Sequence, residues 1–110
     1  MFRTLMLTVF LGFASVTLEA KDIKDSWQSP DGAVTIVRMN SPCTDGKVLD
    51  IINRVVRPEF RDSFKAGASI YEGAPFALCW AEVFGQVYII FSDGGKGELP
   101  AAVFEAPQGI

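Results

Sequence analysis

The sequence contains no histidine, and this absence narrows the chemistry that the protein can perform. A Ser-His-Asp triad lacks its general base, and histidine-containing zinc sites lack a ligand. The segment Gly67-Ala68-Ser69-Ile70-Tyr71 begins like the G-x-S-x-G nucleophile elbow, but Tyr71 stands where the second glycine is needed. We therefore expect no enzymatic activity, no catalytic residue, no metal site and no cofactor.

The sequence also has fewer positively charged than negatively charged residues. The chain has 10 lysines and arginines against 13 aspartates and glutamates, so its formal net charge is −3. Nucleic-acid binding needs an excess of cations, because bound lysines and arginines must displace the counterions around the phosphates. The composition therefore predicts no nucleic-acid partner.

The long apolar run at residues 5–16 is shorter than the roughly 20 apolar residues that span a bilayer. One positive charge precedes this run, and several charged residues follow it directly. A positive start, a short apolar stretch and a small residue at Ala20 are typical of a cleavable signal peptide. We predict that residues 1–20 are removed on export and that residues 21–110 form one small domain. The mature protein is then periplasmic or secreted and has no stable membrane anchor.

Cysteine occurs only twice, at Cys43 and Cys79, and both positions lie in the predicted mature domain. Cysteine pairs close readily in the oxidising compartments outside the cytoplasm. A redox-active or metal-binding pair would have a C-x-x-C spacing or histidine partners, and the chain has neither. We predict a structural disulfide that stabilises the domain by roughly 4 kcal/mol through loop closure.

The clearest periodic pattern in the sequence indicates a helix. Its apolar positions recur at three- and four-residue steps and form one stripe: Val48, Ile51, Ile52, Val55 and Val56. Thr44 or Asp45 is suited to cap the N-terminus of this helix. Pro58 disfavours helical geometry at the preceding residue, so the helix is predicted to end or kink there. A short helical turn then carries Phe60 and Phe64 inward.

Strand patterns lie on both sides of this helix. Residues 27–39, with a turn inside them, are predicted as the first strand, and the second half of the chain alternates between strands and tight turns. Glu72-Gly73 and Phe84-Gly85 have the length of two-residue hairpin loops. The predicted fold is α+β in the order β-α-β-β-β-(β). In this fold, one helix that ends or kinks at Pro58 packs on a mostly antiparallel sheet of four or five strands.

A row of cations is the first candidate binding surface. Arg54, Arg57, Arg61 and Lys65 recur at three- and four-residue steps and would line one helical face if the helix continued past the proline. Such a row is suited to an anionic partner. The other interpretation is a solvated face with local ion pairs, such as Asp50 with Arg54.

Trp80 is the second candidate binding residue. Alternation along its strand places Trp80 on the opposite face from Cys79, which is predicted to lie beneath the helix. An exposed tryptophan is suited to anchor a protein interface. The other interpretation is that Trp80 fills a second small core together with Trp27 and Phe104.

The second half of the chain also carries a characteristic set of turn glycines, aromatic residues and one cysteine. The set comprises Phe64-Lys65-Ala66-Gly67, Tyr71-Glu72-Gly73, Cys79-Trp80, the alternating segment 87–91, Asp93-Gly94, Gly97, Pro100 and Phe104. This pattern resembles small exported proteins of Gram-negative bacteria and their prophages over roughly residues 43–104. The resemblance implies one disulfide-bonded domain, and it transfers no catalytic residue.

These observations favour a binding protein over an enzyme. We expect an exported, non-enzymatic binding, inhibitor or accessory protein that acts on another macromolecule, such as an envelope or extracellular protein. The alternative is a small-ligand or anion-binding module that uses the side of Arg54, Arg57 and Arg61. A hydrolase that works without histidine is the least supported class, because the sequence offers no nucleophile paired with a base.

Overall fold

The computed structural model describes residues 22–106, and the structural statements below concern that part of the chain. The predicted signal peptide at residues 1–20 and the C-terminal residues 107–110 lie outside the described residues. Within residues 22–106, no helix combines the length and the apolar character needed to cross a membrane.

The described part of the chain contains six strands and two helices. They follow one another as β1 (Ile23–Gln28), β2 (Val34–Pro42), α1 (Gly46–Val55), α2 (Pro58–Arg61), β3 (Lys65–Tyr71), β4 (Ala74–Val83), β5 (Gln86–Phe91) and β6 (Lys96–Pro100). A 3₁₀ turn at Ala101–Val103 follows β6. Strands therefore dominate the fold, and α1 and α2 interrupt them between β2 and β3.

The local sequence accounts for both ends of helix α1. The carboxylate of Asp45 accepts a hydrogen bond from the backbone N–H of Val48 at 3.1 Å and so caps the N-terminus. Helical geometry stops after Val55, because Val56 is already extended and Pro58 begins the separate turn α2. The helix therefore lies where its apolar stripe indicates, and it ends before the proline.

The sheet is wholly antiparallel, and its strands lie side by side in their sequence order. It curls into a half-barrel. Beyond β6 the chain crosses to the opposite edge of the sheet, where Ser26 and Glu105 exchange two backbone hydrogen bonds of 3.0 and 2.8 Å. These two bonds connect the segment after β6 to strand β1.

The predicted fold class was wrong in two respects. The region predicted as one first strand is the hairpin of β1 and β2, so the sheet has six strands and not four or five. Helix α1 covers only part of the outer face, mainly over β4 and β5, because its ten residues extend only about 15 Å. The sheet buries its inner face by curling and not by packing on a layer of helix.

The inner face of the curled sheet carries one apolar cluster of six buried residues. Its buried members come from β2, β4, β5 and the segment after β6: Ile36, Leu78, Trp80, Val87, Ile89 and Phe104. The outer face carries α1, whose Val48 and Ile52 pack against Ala81 and Ile90. The two faces of β4 and β5 are therefore both buried, which explains why these strands are so apolar.

The disulfide between Cys43 and Cys79 confirms the predicted pairing. Its two Cα atoms are 5.7 Å apart, and it joins the loop before α1 to the middle of β4. Cys79 is fully buried between the helix and the sheet. A buried disulfide of this kind is consistent with a protein of an extracytoplasmic compartment.

Candidate binding groove

The predicted cationic residues do not form one helical row, because α1 ends before them. Arg54 lies in α1 and pairs with Asp50, with 3.1 Å between the guanidinium and the carboxylate. Arg57 lies in the extended link before α2, and Glu59 is its partner at 3.7 Å. Both pairs are exposed to solvent, so each contributes little to stability.

The remaining predicted site residues occupy different environments. Arg61 donates from Nε to the backbone carbonyl of Val56 at 2.8 Å and thereby satisfies the C-terminus of α1. Lys65 begins strand β3, and its Nζ lies 5.9 Å from the centre of the Trp80 ring. Trp80 itself is only 4% exposed, and its indole N–H donates to the carbonyl of Ala66 at 2.8 Å. Trp80 therefore belongs to the inner core and not to an exposed surface.

A buried cation that no sequence pattern indicated lies beside this tryptophan. Arg38 of β2 donates from Nε to Asp25 at 2.6 Å and from a terminal nitrogen to Glu82 at 3.0 Å. Its guanidinium carbon lies 4.7 Å from the centre of the Trp80 ring and 4.3 Å from that of Phe104. Burial alone lowers the pKa of Arg38, but hydrogen bonds to the two carboxylates outweigh burial and hold the pKa above its ordinary value. The cluster satisfies itself internally, and we assign it a structural role.

The segment that begins like a nucleophile elbow is part of strand β3. Ser69 lies in the middle of this strand and is buried, so it is not raised on a strand-to-helix turn. Gly67 is required by packing, because a Cβ atom there would lie 2.6 Å from both the Leu78 side chain and the Val37 carbonyl. Within residues 22–106, no group of three or more cysteine, aspartate and glutamate side chains is placed to hold a metal ion.

An apolar groove on the outer face is a candidate binding site. It runs between the helical segment and strands β4 to β6 and has a volume of about 380 Å³. Val55, Phe60 and Tyr88 line it and keep 50%, 46% and 40% of their surfaces exposed. These three exposed apolar side chains meet in one concave surface.

Few polar groups line this groove. Ser63 contributes a hydroxyl beside α2, and Lys96 contributes an ammonium group from β6. Arg57 and Arg61 lie on either side of Phe60 in the sequence. The segment from Arg57 to Arg61 therefore borders the groove on the side of the helices. The predicted arginines and the apolar groove thus occupy neighbouring parts of the molecule.

The lining residues had recognisable signals in the sequence. Val55 belongs to the predicted apolar stripe and is the last residue of α1, and it extends beyond the part of α1 that the sheet covers. Tyr88 alternates with Val87 and Ile89, which point into the inner core, so its side chain is on the outer face. Only the tertiary structure brings these two positions together.

Comparison of the chain with protein-family models, with curated proteins and with solved structures found no match. The geometry of the groove therefore carries the functional argument.

Proposed function

We propose that this protein is an exported, non-enzymatic binding protein that binds another protein through the apolar groove. The observation that carries the proposal is the exposure of Val55, Phe60 and Tyr88 around one concavity. Side chains of this size remain exposed at some cost in free energy, and contiguous exposed apolar patches are typical of interaction sites.

The composition of the groove supports a protein partner. Aromatic residues and arginine are enriched at the centres of protein interfaces, where they act as anchors. Phe60 and Tyr88 supply aromatic anchors, and Arg57 and Arg61 lie close to Phe60 in the chain. These residues take the role that the sequence had suggested for Trp80, whose side chain is buried.

The disulfide supports a location outside the cytoplasm for this proposed activity. A pair such as Cys43 and Cys79 persists in the periplasm or outside the cell, where thiols are oxidised. The partner is then an envelope or extracellular protein, and the protein acts on it as an inhibitor or accessory factor. The resemblance to small exported proteins of Gram-negative bacteria agrees with this location.

A matched pair of tyrosine variants tests the proposed function. Tyr88 lines the groove, whereas Tyr71 lies at the end of β3 outside the groove lining and is exposed to a similar degree, 46% against 40%. We expect Tyr88→Ser to lose a partner that the wild-type protein captures by cross-linking in envelope extract, because it removes an aromatic anchor.

In the same experiment, Tyr71→Ser should capture the partner as well as the wild type does. Equal capture by all three proteins, or no specific partner for the wild type, would contradict the proposed function. Thermal unfolding of each variant establishes that a loss of capture does not come from loss of the fold.

A small ligand is the second candidate occupant of the groove. The volume of about 380 Å³ lies in the range of small-ligand sites, which are mostly apolar with a few polar groups. Ser63 and Lys96 would orient an anionic group on such a ligand. The unfolding temperature can be measured with a panel of anionic amphiphiles. If none of them raises it and the wild type captures a protein, the occupant of the groove is a protein and not a small ligand.

A further inference from the structure

Phe84 at the tip of the β4–β5 hairpin combines two unfavourable features. Its side chain is fully exposed to solvent. Its backbone has φ +52°, in the left-handed region that bulky residues rarely adopt, and Gly85 follows with φ +81°. A fully solvated apolar ring at a turn position that bulky residues rarely occupy indicates a role outside the isolated monomer.

The fold itself does not require an aromatic residue in this turn. The β3–β4 hairpin has the same backbone pattern, with Glu72 at φ +53° followed by Gly73 at φ +79°. Both turns therefore place a non-glycine residue in the left-handed region, but only one of them exposes an apolar ring. The ring of Phe84 is not explained by turn formation.

We propose that Phe84 of one molecule enters the groove of a second copy, so that two molecules form a symmetric dimer. Val83, the neighbour of Phe84 in the chain, lines the groove. The protruding ring and the groove therefore belong to one surface. A two-fold interface needs this arrangement, because each copy must offer the same surface as its partner.

The chemistry of the two surfaces is complementary. The ring is apolar and aromatic, and the groove offers Val55, Phe60 and Tyr88 as contacts. Aromatic rings in contact gain stability beyond their area of burial. The tip residues around Phe84, from Val83 to Gln86, carry no charge, so the hairpin can be desolvated without burying an ion.

The inference rests on the proposed function, in that the groove is taken as a protein-binding surface. It adds the identity of one partner, a second copy of this chain. In the dimer, each Phe84 covers the groove of the other copy. A different partner protein therefore competes with self-association for the same groove.

Sedimentation of the oxidised, exported protein over a range of concentrations tests this inference with two matched variants. Phe84→Asn and Glu72→Asn place the same residue at equivalent turn positions, and asparagine is well suited to both. We expect a concentration-dependent dimer for the wild type and for Glu72→Asn. Phe84→Asn should raise the dissociation constant by about 30-fold or more, because it removes an interface anchor.

Thermal unfolding at a concentration where the protein is monomeric gives a second readout. Phe84→Asn should unfold at a higher temperature than the wild type, because it relieves the left-handed strain. Phe60→Ser, which alters the groove and leaves the ring in place, should also weaken the dimer.

A wild type that is monomeric at all concentrations would overturn the inference, as would a Phe84→Asn variant that dimerises as strongly as the wild type. A monomer that uses Phe84 to bind lipid vesicles or an envelope protein would overturn it as well. The proposed function would still hold after these results if the wild type captured an envelope partner and Tyr88→Ser did not. The two proposals therefore fail separately.

Discussion

Arg38 illustrates at the scale of single residues how a charge can be buried in this small domain. Two carboxylates accept hydrogen bonds from its guanidinium, and two aromatic rings cover it. The hairpin register places Asp25 directly opposite Arg38, so recognition of two strands in this region would have predicted their contact. Glu82, by contrast, lies 44 positions from Arg38 in the sequence, and only the curl of the sheet brings them together.

Loss of one carboxylate from this cluster should destabilise the protein strongly. We expect Asp25→Asn to lower the free energy of unfolding by about 3 kcal/mol, because the buried Arg38 then keeps as its charged partner only Glu82, whose side chain is 41% exposed. Urea denaturation measures this change. Asp50→Asn, which removes only the exposed partner of Arg54, is the control and should cost about 0.3–0.5 kcal/mol. Equal costs for both variants would contradict a structural role for the buried cluster.

At the scale of elements, the helix and the later hairpins follow local sequence patterns closely. The apolar stripe of α1 predicts Val48 and Ile52 as buried residues, and both are fully buried. The turns at Glu72-Gly73 and Phe84-Gly85 lie where the two-residue loops were predicted. Phe60 was predicted to point inward but is half exposed, because the short α2 leaves it at the rim of the groove. Local sequence patterns predict the position of a helix or strand better than they predict which residues pack against it.

The disulfide connects two of these elements, and its removal should therefore loosen the helix from the sheet. We expect reduction of the wild type to lower the free energy of unfolding by about 4 kcal/mol, because the open chain gains conformational entropy when unfolded. Urea denaturation with and without reductant measures the difference. The Cys43→Ala/Cys79→Ala variant is the control and should not respond to reductant. Unchanged stability of the reduced wild type would show that the disulfide does not constrain the fold.

At the scale of the whole molecule, curling of the sheet decides which apolar face is buried. An open sheet would leave the Trp80 face in water, whereas the half-barrel encloses it. Phe104 lies after β6, packs into this core and stands just before the bridge from Glu105 to Ser26. The final segment of the chain thus helps to hold the curled sheet together.

Truncation of Phe104 should show how much this segment contributes. We expect Phe104→Ala to lower the free energy of unfolding by about 3–5 kcal/mol, because it leaves a cavity in the inner core and uncovers Arg38. Val103→Ala, at the exposed neighbouring position, should change stability by less than about 1 kcal/mol. Denaturant titration of both variants makes the comparison. If Phe104→Ala were as mild as its neighbour, the closing segment would be dispensable.

The sequence by itself determined the helix, strands β3 to β5 with their two hairpin turns, and the pairing of the cysteines. The helix and the strands depend on short-range periodicity and the hairpins on the residues of their turns. The disulfide follows because the sequence has only two cysteines. The tertiary structure decided the number of strands in the sheet, the burial of Trp80, the three-residue cluster around Arg38 and the groove beside Tyr88. These features depend on curvature accumulated over six strands, which brings together residues that no local pattern relates.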